Sequence, residues 1–234
     1  ARQREGRRKS PVPTVSLVGY TSAGKSTLFN ALAGENRYTS PHLFATLDPM
    51  VRRVTLPDGS YFFLSDTVGF IKKLPVELIS SFRATLEEIR EADCLLEVID
   101  ITSPGALEQA EAAEEILSRL EVTGIPLIKV FNKIDLLPEE EKKSLLERQP
   151  QEEASPVYVS ARSGEGLENL KARLRQVIFK NSQIYHLHIP KERMDLTASL
   201  VRQLLVIRKT ETAEGWEYQV LTQRNKLFPY LPYL

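Results

Sequence analysis

Four short strings, spaced along the first 162 residues, carry side chains suited to one piece of chemistry. Gly19-Tyr20-Thr21-Ser22-Ala23-Gly24-Lys25-Ser26 has the pattern G-x-x-x-x-G-K-[ST]. Its glycines let the backbone wrap closely, so that successive N–H groups point inward at phosphate oxygens. Lys25 supplies a point charge to the β and γ phosphates, and the Ser26 hydroxyl, followed by Thr27, is a ligand for Mg²⁺. Asp66-Thr67-Val68-Gly69 adds a carboxylate that holds Mg²⁺ through water and a glycine N–H within reach of a γ-phosphate. Asn132-Lys133-Ile134-Asp135 offers a carboxylate to the N1–H and exocyclic amine of guanine, a donor pair that adenine lacks. Lys133 lays its aliphatic stem along the base, and the backbone of Ser160-Ala161-Arg162 meets the guanine O6. Together these strings select GTP or GDP over adenine nucleotides.

Each string must sit at the end of a strand for the reading to hold. The apolar run 15–18 ends at Gly19, and 25–33 has helical spacing, which is the strand–loop–helix context that a phosphate loop needs. Residues 51–56 and 61–64 flank Pro57-Asp58-Gly59-Ser60, a hairpin signal. Residues 94–99, 126–131 and 156–159 read as strands, and 78–90, 106–120, 139–148 and 167–179 as helices. The alternation predicts an α/β fold of the P-loop GTPase (Ras-like) type. It has a six-stranded, mainly parallel sheet with helices on both faces and an antiparallel edge. Ligands of such sheets bind at the carboxyl ends of the strands, where all four strings fall.

The pattern changes near Asn181. Residues 184–189 alternate, 192–205 have helical character, and 216–221 alternate again, with the polar, turn-like 210–215 between them. The expected organisation is a basic linker over 1–12, a GTPase domain over 13–180 and a small α+β domain over 181–234. The last seven residues, apolar with Pro229 and Pro232, read as neither helix nor central strand.

Between the first helix and the hairpin lies a polar stretch containing Phe44-Ala45-Thr46-Leu47-Asp48-Pro49. Thr46 is the candidate to close over Mg²⁺ and γ-phosphate, as a loop ordered by nucleotide state would. The metal set expected is therefore Ser26, Thr46 and, through water, Asp66. No catalytic base is legible, and Lys25 and Thr46 are the transition-state and switch contacts. Phe70 follows the D-x-x-G segment where many GTPases place a water-orienting Gln, so intrinsic hydrolysis is expected to be slow.

Composition bounds the rest. The 31 Lys+Arg balance the 31 Asp+Glu. Residues 1–9 nevertheless hold five basic side chains and one acid, which reads as a nucleic-acid arm or a solvated linker. Cys94 is the sole cysteine, which excludes an intrachain disulfide and a thiolate cluster and suits a buried, inert thiol. His186 and His188 share a strand face but lack a third ligand, and His42 reads as an ordinary loop residue. No apolar run reaches the length of a membrane span. A cytoplasmic protein is expected (an organellar matrix if the source is eukaryotic), monomeric, since the segmental site needs one chain.

The strings are longer than generic signatures. Val18 to Leu32 resembles the P-loop region of the Obg–HflX group of GTPases, and three more strings are similar to the HflX family itself. These are Leu43-Phe44-Ala45-Thr46-Leu47-Asp48-Pro49, Asp66-Thr67-Val68-Gly69-Phe70-Ile71 and Ser81-Phe82-Arg83-Ala84-Thr85-Leu86-Glu87-Glu88. The resemblance implies a ribosome-associated GTPase that binds the large ribosomal subunit, its RNA and proteins, and in full-length form splits or rescues stalled ribosomes. It also implies an N-terminal domain and helical linker ahead of the GTPase domain, with residues 2–9 resembling the linker's end. The alternative is a regulatory GTP switch that recruits a protein or membrane partner.

Overall fold

The computed structural model describes residues 10–34, 50–66, 89–119, 122, 124–147 and 155–234. The readings placed on Phe44 to Asp48, on Thr67 to Phe70, on His42 and on most of the helix 78–90 lie outside them.

Five parallel strands follow from short runs of β-branched and apolar residues. They are β1 (Thr14–Val18), β3 (Tyr61–Asp66), β4 (Cys94–Asp100), β5 (Leu127–Asn132) and β6 (Val157–Tyr158). With β2 (Met50–Thr55) they form one sheet in the order β2-β3-β1-β4-β5-β6. β1 pairs in parallel with β3 and with β4, β4 with β5, and β5 with β6. The turn 56–60 joins β2 to its neighbour β3, closed by Leu56 N–H to Ser60 O and Gly59 N–H to Leu56 O. A connection this short permits only antiparallel pairing, as the hairpin signal predicts.

β1 and β4 are central and read as near-continuous apolar runs because both faces are covered. Val15, Leu17, Cys94, Leu95, Leu96 and Val98 are all buried, each aliphatic side chain contributing roughly 1.5–3 kcal/mol of transfer free energy. The helices are α1 (Lys25–Ala33), α2 (Ala106–Arg119), α3 (Glu139–Glu147) and α4 (Leu167–Ile178). Among the described residues no helix is long and apolar enough to cross a membrane.

The chain divides into two compact units. One comprises residues 14–54 and 62–178, and the other residues 1–13, 55–61 and 179–234. The second contains an antiparallel sheet in the order β7-β9-β8, formed by β7 (Gln183–Pro190), β8 (Leu205–Glu211) and β9 (Gly215–Thr222). Its core gathers Leu187, Ile189, Tyr218 and Val220 from the sheet, Leu200 from α5 (Met194–Gln203), and Leu227 and Tyr230 from the C-terminal segment.

Two expectations are corrected here. The helix read over 192–205 is a 3₁₀ turn (Lys191–Arg193) followed by α5, and Leu205 already opens β8, which runs on to Glu211. Leu200, Leu204 and Leu205 are all buried, so apolar residues continue across the boundary without a Gly or Pro to mark it. The last residues are not irregular either: Arg224–Tyr233 form a 3₁₀ helix that includes Pro229 and Pro232. Three residues per turn stack Leu227, Tyr230 and Tyr233 on the core side and Phe228 and Leu231 outward. Both prolines fall on the third, solvent-facing column, where a fixed φ near −65° suits the helix.

Candidate functional site

The phosphate loop follows β1 because its backbone adopts conformations that ordinary side chains resist. Gly19 has φ 137 and Gly24 φ 93, and Ser22, though not glycine, sits at φ 66. A Cβ on Gly19 would stand 2.3 Å from the Val98 carbonyl oxygen, and one on Gly24 2.3 Å from the Asn132 amide nitrogen. Glycine is therefore demanded twice, by backbone angle and by the neighbouring strand ends. Gly24 is the N-cap of α1 and no side chain caps that terminus. The first-turn N–H groups and the helix dipole thus face the loop interior, a ready anion site.

Lys25 opens α1 and is 7% exposed. Its Nζ donates to Gly19 O at 3.0 Å and to Tyr20 O at 2.8 Å. Burial lowers its pKa to about 8, with the nearby Asp66 acting in the opposite direction. A buried ammonium solvated by loop carbonyls is prepared to exchange them for phosphate oxygens.

Beside it, Ser26 Oγ donates to Asp66 Oδ2 at 2.9 Å, joining the first turn of α1 to the end of β3. Hydroxyl and carboxylate are hard oxygen donors, and a set of few protein oxygens fits Mg²⁺, which keeps several waters and phosphate oxygens in its shell. Among the described residues no group of three His, Cys, Asp or Glu side chains forms a metal cluster. His186 and His188 are both exposed on β7, and Cys94 is buried with its thiol pushed up to about 12, chiefly by desolvation.

The base end is assembled from β5 and β6. Asn132, 2% exposed, uses both ends of its amide: Nδ2 donates to Ala23 O at 3.0 Å, and Oδ1 accepts from Ala161 N–H at 2.9 Å. One side chain thereby ties the phosphate loop to the segment 160–162. Asp135 Oδ1 accepts from Ser160 Oγ at 2.6 Å, which orients the carboxylate, and Ser160 Oγ accepts in turn from Ser163 N–H at 3.1 Å. Ile134 points away: it is buried in the core, and its N–H bonds Val159 O. Arg162 is exposed. Gly19 to Thr27, Asp66, Asn132 to Asp135 and Ser160 to Arg162 therefore lie at the carboxyl ends of strands of one sheet, in the turns that follow them or in the first turn of α1.

Two residues that the strings do not contain belong to the same region. Asp100, the last residue of β4, stands in register with Asn132, and its carboxylate holds the Lys133 ammonium at 2.5 Å. Its signal was the one shared by the other site residues, a polar side chain ending an apolar strand. Glu97, on the same strand and 1% exposed, has neither carboxylate oxygen hydrogen-bonded. Burial raises its pKa to about 7, Lys129 opposing and Glu114 adding to the shift. An isolated acid in a buried strand leaves no pattern in the sequence.

Residues 14–133 match the family described as 50S ribosome-binding GTPase. The chain is 44% identical over 191 residues to a GTPase HflX of Caldanaerobacter subterraneus subsp. tengcongensis, covering 82% of this chain and 42% of the relative. It is 41% identical over 189 residues to the GTPase HflX of Escherichia coli, covering 81% and 44%. The aligned part is thus less than half the length of these relatives. In structure it resembles a GTP-binding protein of the archaeon Sulfolobus solfataricus in complex with GDP. The TM-score is 0.55 and the identity 31%, over 71% of this chain and 52% of that one.

Proposed function

We propose, from the premise that this chain belongs to the 50S ribosome-binding GTPase family and to its HflX group, that it binds GTP with Mg²⁺ and hydrolyses it to GDP and phosphate. The observation that carries this reading is the double use of Asn132, since one buried amide braces the phosphate loop and the base loop together. Phosphate recognition and base recognition are then formed or lost as one unit.

In this reading the loop N–H groups of residues 19–25 and the Lys25 ammonium bind the phosphates, and Asp135 reads guanine while Ser160 holds it in place. Ser26, Thr46 and, through water, Asp66 would hold Mg²⁺, whose charge would offset that of the phosphates. Phe70 brings no hydrogen-bonding group to an attacking water, so turnover is slow until a group from elsewhere completes the site. The GTPase domain spans 13–180, and 181–234 forms a separate small domain.

The partner is the large ribosomal subunit, engaged in the GTP state, and the setting is the cytoplasm. In full-length form, that engagement would serve to split or rescue stalled ribosomes. The test is co-sedimentation of the chain with purified large subunits in a non-hydrolysable GTP analogue against GDP, with phosphate release measured in parallel. Binding favoured by the analogue and faster release with subunits are expected. Equal binding in both nucleotides and an unchanged rate would remove the ribosome from the proposal.

A further inference from the structure

β4 is buried along its length until Asp100, where the chain emerges at the edge that carries the site. Parallel pairing puts Asp100 beside Asn132, so the residue after Asn132 emerges within reach of its carboxylate. Lys133 adopts φ 72, the left-handed region that non-glycine residues avoid, at the start of the 3₁₀ turn Ile134–Leu136. This conformation sends its side chain back across the phosphate loop: Lys133 Cε lies 4.0 Å from the Cβ position of Gly24. The ammonium comes to rest on Asp100 Oδ2 at 2.5 Å. The other oxygen, Oδ1, accepts from Thr102 N–H at 3.0 Å and from Thr102 Oγ1 at 2.7 Å. Burial works against the charge of Asp100, yet the bonds from Lys133 and Thr102 hold its pKa below the ordinary carboxylate value.

We propose that Asp100 is a positioning residue for the bound guanine nucleotide, acting through Lys133: it pins the ammonium so that the methylene stem is fixed between phosphate loop and base loop. The proposal rests on the nucleotide-site reading above. A Lys stem left free has several rotatable bonds to immobilise on binding, and a pinned one has already lost that freedom. The side chains of Lys133 and Asp100 are 30% and 19% exposed, so the pair is screened less than a surface salt bridge without bearing full desolvation. Because Asp100 touches neither base nor phosphate in this scheme, it affects every nucleotide that uses the stem by the same factor. Asp135, by contrast, discriminates between bases.

The competing role for Asp100 is purely local, the turn it closes with Thr102. Asparagine closes such turns as well as aspartate does, so Asp100→Asn keeps the turn and removes the charge that holds Lys133. Dissociation constants and rates of a fluorescent GDP, and of GTP and ITP by competition, are measured for the 234-residue chain carrying Asp100→Asn, Lys133→Met, both, or Thr102→Val. Asp100→Asn is expected to weaken all three nucleotides by a common factor of about ten, mostly through faster dissociation. Lys133→Met should match it, the double variant should bind no more weakly than Lys133→Met alone, and Thr102→Val should stay within about twofold. Wild-type affinity in Asp100→Asn, or losses that multiply in the double variant, would overturn the inference while leaving the nucleotide site intact. Failure of the unmodified chain to bind GDP at all would instead overturn the site reading, and the inference with it.

Discussion

The unit that carries the site and the unit at the C-terminus treat buried polar groups differently. In the first, Ser16, Lys25, Ser65, Asp66, Glu97, Asn132 and Ser160 are all buried. Ser16 and Ser65 bond one another across β1 and β3, and several of the rest meet at the strand ends. In the C-terminal unit the buried set is mainly apolar, Leu187, Ile189, Val220 and their neighbours; Thr222, the Tyr218 hydroxyl and the Thr197 hydroxyl are buried polar groups there, and the charged side chains lie outside. The contrast teaches where free energy is committed: one region holds strained backbone and desolvated charge in readiness for a ligand, while the other maximises apolar burial.

The sharpest way to break the site-bearing half is at a backbone position. Gly24→Ala forces a Cβ onto the Asn132 amide at a left-handed φ, and nucleotide affinity is expected to fall about a thousandfold or more, read by calorimetric titration. Asp135→Asn leaves the brace alone and changes only the reader. GTP affinity should fall by about a hundredfold while xanthosine triphosphate, whose 2-carbonyl accepts from an amide, gains. Unchanged selectivity in competition would remove Asp135 from that role.

Glu97 sharpens the comparison through stability. Its pKa is raised from the ordinary carboxylate value of 4.5 to about 7 by burial, so the native state binds the proton more tightly than the unfolded chain. The stability it contributes is lost as pH rises from the lower value through the higher. Glu97→Gln removes that slope, and its thermal stability relative to the parent should improve between about pH 5 and pH 8 by up to roughly 3 kcal/mol. Parallel pH profiles of the two proteins would exclude it. The smallest effect belongs to the C-terminal unit: Tyr230→Phe loses the hydroxyl bonded to Ser199 Oγ at 3.2 Å. It should cost about 1 kcal/mol in denaturant unfolding, with nucleotide affinity at the parent level.

How far the sequence reached follows the same division. The phosphate loop, Asp66 and the segments at Asn132 and Ser160 were legible because the chemistry requires those residue types at those spacings, at the ends of strands whose apolar runs are themselves visible. Asp100 was not, because a single carboxylate gains its meaning from the register of β4 against β5. The α5–β8 boundary was misread because Leu204 and Leu205 are both buried, and unbroken apolar spacing hides a change from helix to strand. The 3₁₀ helix is hidden in the sequence because two prolines argue against an α-helix, and a period of three over ten residues is too short to stand out from an irregular apolar run.

That period has an evolutionary consequence. The 3₁₀ helix carries two apolar columns, Leu227, Tyr230 and Tyr233 facing the core and Phe228, 79% exposed, and Leu231 outside it. Loss of one residue ahead of Leu227 would rotate the segment by a third of a turn and bring the Phe228 and Leu231 column to the core, with little change in the greasiness of what is buried, whereas gain of one would bring Lys226, Pro229 and Pro232 there. Frame is instead read by hydroxyl groups, Tyr230 on Ser199 and Tyr233 accepting from Arg193 at 2.7 Å. Those two tyrosines act as a reading-frame check, so a single-residue deletion here should be tolerated only in lineages that move the tyrosines with it, while a single-residue insertion is opposed already by the Lys226 charge it would bury.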